Sequence, residues 1–404
     1  MTPRPTALLL NFAHALDHLF LLIFAASVGA IAADFGFARW EDLMPFGVGA
    51  FALFGLCSLP AGKLGDHWGR RRMMLLFFFG IGASALLVAC THNAWQLALA
   101  LGVLGAFSSI YHPVGIPMLV RHSTRPGRTI GMNGLAGNLG VAAAAIVTGY
   151  LVKYAGWRAA FIVPGMLAIA CGMLFARVTP LESEPPSKRK QTVIELPPKL
   201  FARIFLVITM ASITASLLFN FTTNGNGELL RERLDGIVND PARLGVLLAG
   251  VYVVASFAQV VVGMLLDRVP LKYLYLGIVA VQPPLFWFAA SAQGWALYAL
   301  MIAFMIAVFG AIPFTDAMIV RYVDDSMRSR VTGMRLTVSF GVSSVAVWLL
   351  GPVVKVGGFE TLLLAMSAIA VLTFLTVLAL PRAAGFDGPL AASLPPSPIA
   401  APGD

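Results

Sequence analysis

Apolar stretches of about 18 residues or more, broken by short polar or charged segments, run along the whole chain. An α-helix rises about 1.5 Å per residue, so each stretch is long enough to cross a hydrocarbon layer about 30 Å thick. The breaks predict twelve spanning helices. The first six fall near 7–33, 43–61, 73–89, 94–120, 129–152 and 159–176, and the second six near 201–223, 243–266, 271–290, 295–320, 331–354 and 361–380. Asp34, Arg39, Glu41 and Asp42 read as a first outer loop, and 224–241 as a polar outer loop with room for a short interfacial helix.

Between the sixth and seventh stretches the composition shifts to Pro, Glu, Lys and Arg, the signature of a solvated, semi-rigid linker. The expected organisation is therefore an N-terminal six-helix half over 1–178, a cytoplasmic linker over 179–200, a C-terminal six-helix half over 201–381 and a disordered cytoplasmic tail over 382–404. The first apolar run continues past Asp17 with no small-residue cleavage site, so it reads as a retained span, not a signal peptide.

Composition agrees. The chain is 58% hydrophobic and only 12% charged, where soluble proteins carry about a quarter. The net charge of +9 suggests nucleic acid at first sight, but its distribution argues otherwise. Of the 28 Lys and Arg, 21 fall on the expected cytoplasmic side and 7 on the other, which is the positive-inside bias of a multi-pass membrane protein. Cys57, Cys90 and Cys171 all lie in apolar runs and read as small packing residues. No phosphate-binding loop, Ser–His dyad pattern or cofactor motif is present, so no enzyme activity, no cofactor, no resident metal and no ATP-driven step is expected.

Gly62–Arg72, GKLGDHWGRRR, separates the second and third stretches as a tight basic turn, and Gly263–Tyr273, GMLLDRVPLKY, repeats its Gly, Leu, Asp and basic positions between the eighth and ninth. A second repeat shares that order: Met118–Arg121, Arg128 and Gly131-Met132 answer to Met318–Arg321, Arg330 and Gly333-Met334, with Pro113 on Pro313. Gly62, Leu64, Asp66, Gly69, Arg70 and Arg71 resemble the signature between helices 2 and 3 of the major facilitator superfamily; His67 stands where that family usually has a basic residue. The resemblance implies an all-α membrane protein of twelve helices in two six-helix pseudo-symmetric halves that expose a central site alternately to the two sides. It also makes Gly62, Asp66, Gly69, Arg70 and Arg71 a gating motif, with Asp66 expected to pair with Arg330 or Arg335 across the halves.

Ionisable groups at membrane depth are costly, so each one inside a span is a candidate site residue. Asn11, His14, Asp17 and His18 recur at helical spacing on one face of the first helix. The fourth offers Ser108, Ser109, Tyr111 and His112, the fifth Asn138, the seventh Ser216, Asn220 and Thr223, and the tenth Asp316. In the superfamily, helices 1, 4, 7 and 10 line the cavity. The candidates for substrate and proton binding are thus His14, Asp17, His18, Tyr111, His112, Asn138, Asn220 and Asp316. Structural readings stand beside them. Asp17 can pair with His14 or His18, His112 with a carbonyl freed by Pro113, and Asp316 can repair the break at Pro313, while Asn138 and Asn220 can act as interhelical glue.

Ser108–Pro113, His14–His18 and Gly137–Gly140 further resemble segments of fosmidomycin-resistance-type exporters, with Val114 replacing the acidic residue that follows His-Pro there. The expected function is proton-coupled export of a small, drug- or antibiotic-like organic compound by a monomer in the inner membrane, with both termini cytoplasmic. Proton-coupled uptake of a small organic anion stays open. So does transition-metal transport through His14, Asp17 and His18, whose spacing suits a helical metal site, and so does a non-transporting membrane protein. No nucleic-acid partner is expected.

Overall fold

The computed structural model describes residues 4–120, 126–180, 198–266, 268–322 and 325–380. Within them, the side chains of Asp66, Asp316 and residues 126–128, 198–201, 204, 319–322, 325–334 and 336 lie outside the described set. The linker from 181 to 197 and the tail from 381 onward are likewise outside it.

Among the described residues every regular element is helical. Helices α1 (Arg4–Asp34), α2 (Val48–Trp68), α3 (Arg70–Ala89), α4 (Ala94–Val120), α5 (Pro126–Ala155) and α6 (Trp157–Val178) form the first set. Helices α7 (Pro198–Arg233), α8 (Pro241–Leu266), α9 (Leu271–Ser291) and α10 (Gly294–Tyr322) follow. The final stretch, Asp325–Leu378, breaks at Gly358, whose φ of 69° ends one helix and starts the next. This gives α11 (325–357) and α12 (359–378), so the described residues hold twelve long helices, the number expected. Large side chains such as Leu99, Phe257 and Trp287 face outward, as a helix surface in contact with lipid requires.

Three local departures from the sequence expectation matter for the site. The turn at 62–72 is shorter than expected: α2 runs on to Trp68 and α3 starts at Arg70, leaving Gly69 alone, at φ 91°, to reverse the chain. Gly62 stays helical, and a Cβ there would touch Pro113 of α4 at 3.4 Å. Secondly, the expected outer loop after 223 is helical, because α7 continues to Arg233. Its Asn224, Asn226 and Glu228 are buried, and Glu228 Oε1 lies 3.1 Å from where a Cβ on Gly29 of α1 would stand. Polar residues that read as loop are thus a buried stripe against the other half. Thirdly, α4 is not uniform. Pro113 has no N–H for the ladder, and Tyr111–Gly115 winds as a π-turn.

Basic residues fasten each half. Arg71, at the start of α3, donates to Thr179 O (2.8 Å) and Ala176 O (2.6 Å) at the end of α6. Lys272, at the start of α9, donates to Leu378 O (2.9 Å) and Leu380 O (2.5 Å) at the end of α12. Each cation satisfies C-terminal carbonyls that have no intrahelical partner.

The halves close on each other at the end of the bundle that carries the 1–2, 7–8 and 11–12 turns. Lys153 pairs with Asp240 and Lys355 with Asp42, while Trp40 stacks on Phe359 at 6.0 Å. There α5 and α8 cross with backbones nearly touching: a Cβ on Gly149 would lie 2.6 Å from Pro241 O, and one on Gly245 2.6 Å from Ala145 O. Deeper in, Phe54 of α2 meets Phe340 of α11 at 4.1 Å.

Candidate functional site

The site grows from the contact of α1 with α5. Glycine lets these helices approach, since a Cβ on Gly140 would fall 2.1 Å from Ala15 O, and one on Gly137 2.7 to 3.0 Å from the ring of His14. The imidazole of His14 therefore lies directly on the α5 backbone. Its Nδ1 is 2.6 Å from Asn133 O. A carbonyl only accepts, so Nδ1 carries the proton and Nε2 presents a lone pair. That Nε2 is 3.1 Å from His18 Nε2, and His18 then donates.

The π-turn of α4 brings up the other side. Tyr111, fully buried, stacks on His14 at 4.8 Å. Its hydroxyl donates to Leu10 O (2.8 Å) and accepts from Asn133 Nδ2 (2.6 Å), which also reaches Asn11 Oδ1 (3.0 Å). Asn133 thus locks α1, α4 and α5 together through three contacts. The next residue, His112, projects into the same space, with ring centroids 5.0 Å from His14 and 5.9 Å from His18. Phe54 and Phe340 stand edge-on to it at 5.9 and 6.3 Å, so the other half of the bundle reaches this cluster through Phe340.

Asp17 lies beneath. It is wholly buried, and neither carboxylate oxygen has a hydrogen-bond partner among the described residues. Its nearest basic neighbour is His112, whose Nε2 is 3.6 Å from Asp17 Oδ2. That is an ion-pair distance, too long for a good hydrogen bond. The buried Ser108 hydroxyl is turned toward this carboxylate without reaching full hydrogen-bond geometry. The alternative pairing of Asp17 with His14 or His18 is not seen among the described residues: His14 and His18 bond to each other, and Asp17 faces His112 on a different helix. By the same token His112 is directed at a carboxylate, not at a carbonyl freed by Pro113.

His14, Asp17, His18, Tyr111 and His112 thus converge. The other candidates do not join them. Asn138 is buried with its Nδ2 unpartnered among the described residues. Asn220 donates to Ser343 Oγ (2.7 Å) and Ser216 O (2.8 Å), tying α7 to α11. Asp66 and Asp316 lie on α2 and α10, with side chains outside the described residues. Arg71 is a helix clamp. Sequence reasoning missed Asn133, one helical turn before Gly137, and Glu228, which continues the i, i+4 series Asn220, Asn224 and holds Arg231 at 2.6 Å.

Residues 8–230 match the Major Facilitator Superfamily. The chain belongs to that superfamily. Among curated relatives, it is 28% identical over 130 residues to the puromycin resistance protein pur8 of Streptomyces alboniger, covering 31% of this chain and 26% of that one. It is 25% identical over 213 residues to the tetracenomycin C resistance and export protein of Streptomyces glaucescens, covering 51% and 39%. The matched region therefore spans well under half the length of these relatives. Of solved structures, a bacterial homologue of the human lysosomal transporter Spinster, inward-facing and occupied, superposes with a TM-score of 0.71 over 97% of this chain and 98% of that one, at 14% identity. At that identity the likeness is one of fold. In this superfamily member the histidines, Asp17 and Tyr111 sit on α1 and α4 with Asn133 of α5. Arg335 of α11, which donates to Thr315 Oγ1 at 2.7 Å, brings a positive charge near His112 from the other half.

Proposed function

We propose that this chain is a secondary transporter that exports a small, drug- or antibiotic-like organic compound by alternating access, in exchange for protons. The observation that carries the reading is Asp17. A buried carboxylate without hydrogen bonds is costly in a stable core, and it persists where an exchangeable partner completes it. A proton is the simplest such partner. His112, 3.6 Å away and partly exposed, links Asp17 to the space that Phe340 of the other half borders. The resistance and export roles in the relatives' names support export of an organic substrate over uptake. The three N-terminal segments that resemble fosmidomycin-resistance-type exporters support the same direction. The positive-inside distribution supports an inner-membrane location with both termini in the cytoplasm, which makes the tightly closed end of the bundle the outer one.

The C-terminal contribution to coupling is assigned to Asp316, placed by the repeat about one turn beyond the position equivalent to His112, and the cytoplasmic gate to Asp66 with Arg330 or Arg335. Asn220 and Asn138 serve as lining or supporting residues, and the protein acts as a monomer.

The test is reconstitution in proteoliposomes under an imposed pH gradient with a panel of organic compounds preselected by thermal shift. Wild type should accumulate at least one of them. Asp17→Asn and Asp316→Asn should retain binding and downhill exchange but lose gradient-driven accumulation, and Asp66→Asn should slow both directions. Accumulation undiminished in Asp17→Asn removes the coupling assignment.

A further inference from the structure

We propose that His14, His18 and His112 form a binding site for one divalent transition-metal ion of the zinc, nickel or cobalt class, with Asp17 supplying the neighbouring negative charge. One ligating atom from each of the three imidazoles lies within 4.8 Å of the others. The His14 and His18 Nε2 atoms are already 3.1 Å apart. Two imidazole nitrogens at about 2.0–2.1 Å from a tetrahedral ion stand about 3.3–3.4 Å apart, so this pair accepts an ion with little movement. His112, partly exposed on the π-turn, closes the triangle by a small rotation of its ring.

The surroundings of the cluster are those a metal site needs. His14 donates Nδ1–H to a backbone carbonyl at 2.6 Å, the outer contact that fixes a ligating histidine's tautomer and aims its lone pair. Tyr111 stacked on its face keeps the ring from turning. The His14–His18 hydrogen bond uses one lone pair; an ion takes that lone pair and one from His18, which then holds its proton on Nδ1. A second observation points the same way. Three neutral imidazoles bring no charge to offset a divalent ion in a low-dielectric interior, and the Arg335 guanidinium near His112 adds positive charge. The negative charge therefore comes from Asp17, which lies against His112 at 3.6 Å with neither oxygen in a full hydrogen bond. The ion and the orphaned carboxylate each supply what the other lacks.

Three nitrogen ligands leave a fourth position of a tetrahedral ion open, on the side that Phe54 and Phe340 border. An oxygen-bearing organic anion is the chemical class that fills it. The sequence placed a metal option on His14, Asp17 and His18 of α1 alone; the fold exchanges Asp17 for His112 in the ligand set and leaves the carboxylate as the charge partner.

The site goes beyond the export reading and is tested without transport. Equilibrium binding of Zn²⁺, Ni²⁺ and Co²⁺, each alone, is measured on the purified full chain in lipid nanodiscs, with Co²⁺ visible absorption reporting geometry. One equivalent should bind, with the intense ligand-field bands of tetrahedral cobalt. His18→Gln and His112→Gln should each weaken binding by about tenfold or more, with folding checked by thermal melt. His92→Ala, at an exposed turn, should leave it unchanged. Absence of stoichiometric binding in wild type overturns the proposal, as does binding unaltered in both glutamine variants. A chain that exports under a pH gradient but binds no metal loses this site and keeps the export reading; one that binds metal without exporting does the reverse.

Discussion

Arg71 and Lys272 make the same contact in the two halves of the bundle. Each begins the third helix of its half and donates to the last carbonyls of the sixth. The repeat seen between 62–72 and 263–273 therefore encodes a clamp that holds each half together, whatever the gate does. Hydrogen bonds from a charged donor contribute about 1.5–3 kcal/mol, and both side chains are partly solvated, so about 1 kcal/mol is expected. Arg71→Ala should lower the melting temperature by about 1–2 °C, and Lys272→Ala by a similar amount. A melt of Arg71→Ala indistinguishable from wild type would remove the clamp.

Gly137 and Gly140 separate function from folding. A methyl at 137 meets the His14 imidazole, which is pinned by its bond to Asn133 O, so His14 must tilt. Gly137→Ala should express and fold but transport about tenfold less. At 140 the obstacle is the Ala15 backbone itself at 2.1 Å, and neither helix can yield locally. Gly140→Ala should cost about 1–3 kcal/mol through overpacking and lower the yield of folded protein. Equal behaviour of the two variants in size-exclusion and transport assays would contradict this division.

Much of this was legible in the residues. Runs long enough to span a bilayer gave the helices, because backbone groups in lipid must bond within one segment, and His14, Asp17 and His18 at helical spacing declared one face of α1. What the residues hid was partnership between helices. Nothing in a one-dimensional pattern says that Asp17 faces His112 while His14 faces His18, since that depends on the π-turn at Pro113. Asn133 was unreadable because its work is done partly by its backbone carbonyl. Asn224, Asn226 and Glu228 were misread as loop, because burial against a second half looks like exposure to water when hydropathy alone is consulted.

Asp240 gives the closed end a defined pH response. It caps α8 by accepting from Ala242 N at 2.9 Å and pairs with Lys153 of α5. The hydrogen bond from Lys153 holds its carboxyl below the ordinary carboxylate range. A group with a depressed folded-state pKa stabilises above its unfolded value, about 3.9, and that support fades as pH falls through the lower folded value. Closure of α5 on α8 should therefore be insensitive to pH between about 5 and 8 and loosen only in stronger acid. Distances between spin labels on these helix ends, measured across that range, check it. Asp240→Asn should remove the acid-dependent part, and added salt should weaken the tie because both groups are solvated. A closure that changes between pH 5 and 8 and persists in Asp240→Asn would place the sensor elsewhere.

Asp17 should trade stability for activity in a direction opposite to most core substitutions. A residue chosen for packing destabilises when changed. Asp17 is fully buried with both oxygens unbonded, so the folded protein bears a desolvation cost of about 1–3 kcal/mol that no hydrogen bond returns. Asparagine is nearly isosteric and uncharged, and its amide has a candidate acceptor in the neighbouring Ser108 hydroxyl. Asp17→Asn should accordingly raise the melting temperature by a few degrees while abolishing accumulation against a gradient. Ser108→Ala should cost little stability, since the contact of its hydroxyl with Asp17 falls short of full hydrogen-bond geometry. His112→Gln should remove coupling without the gain in stability, because it leaves the carboxylate buried and alone. A loss of stability in Asp17→Asn comparable to that of an ordinary core variant would mean that the carboxylate is satisfied in the folded protein, and that Asp17 belongs to the scaffold and not to the transport cycle.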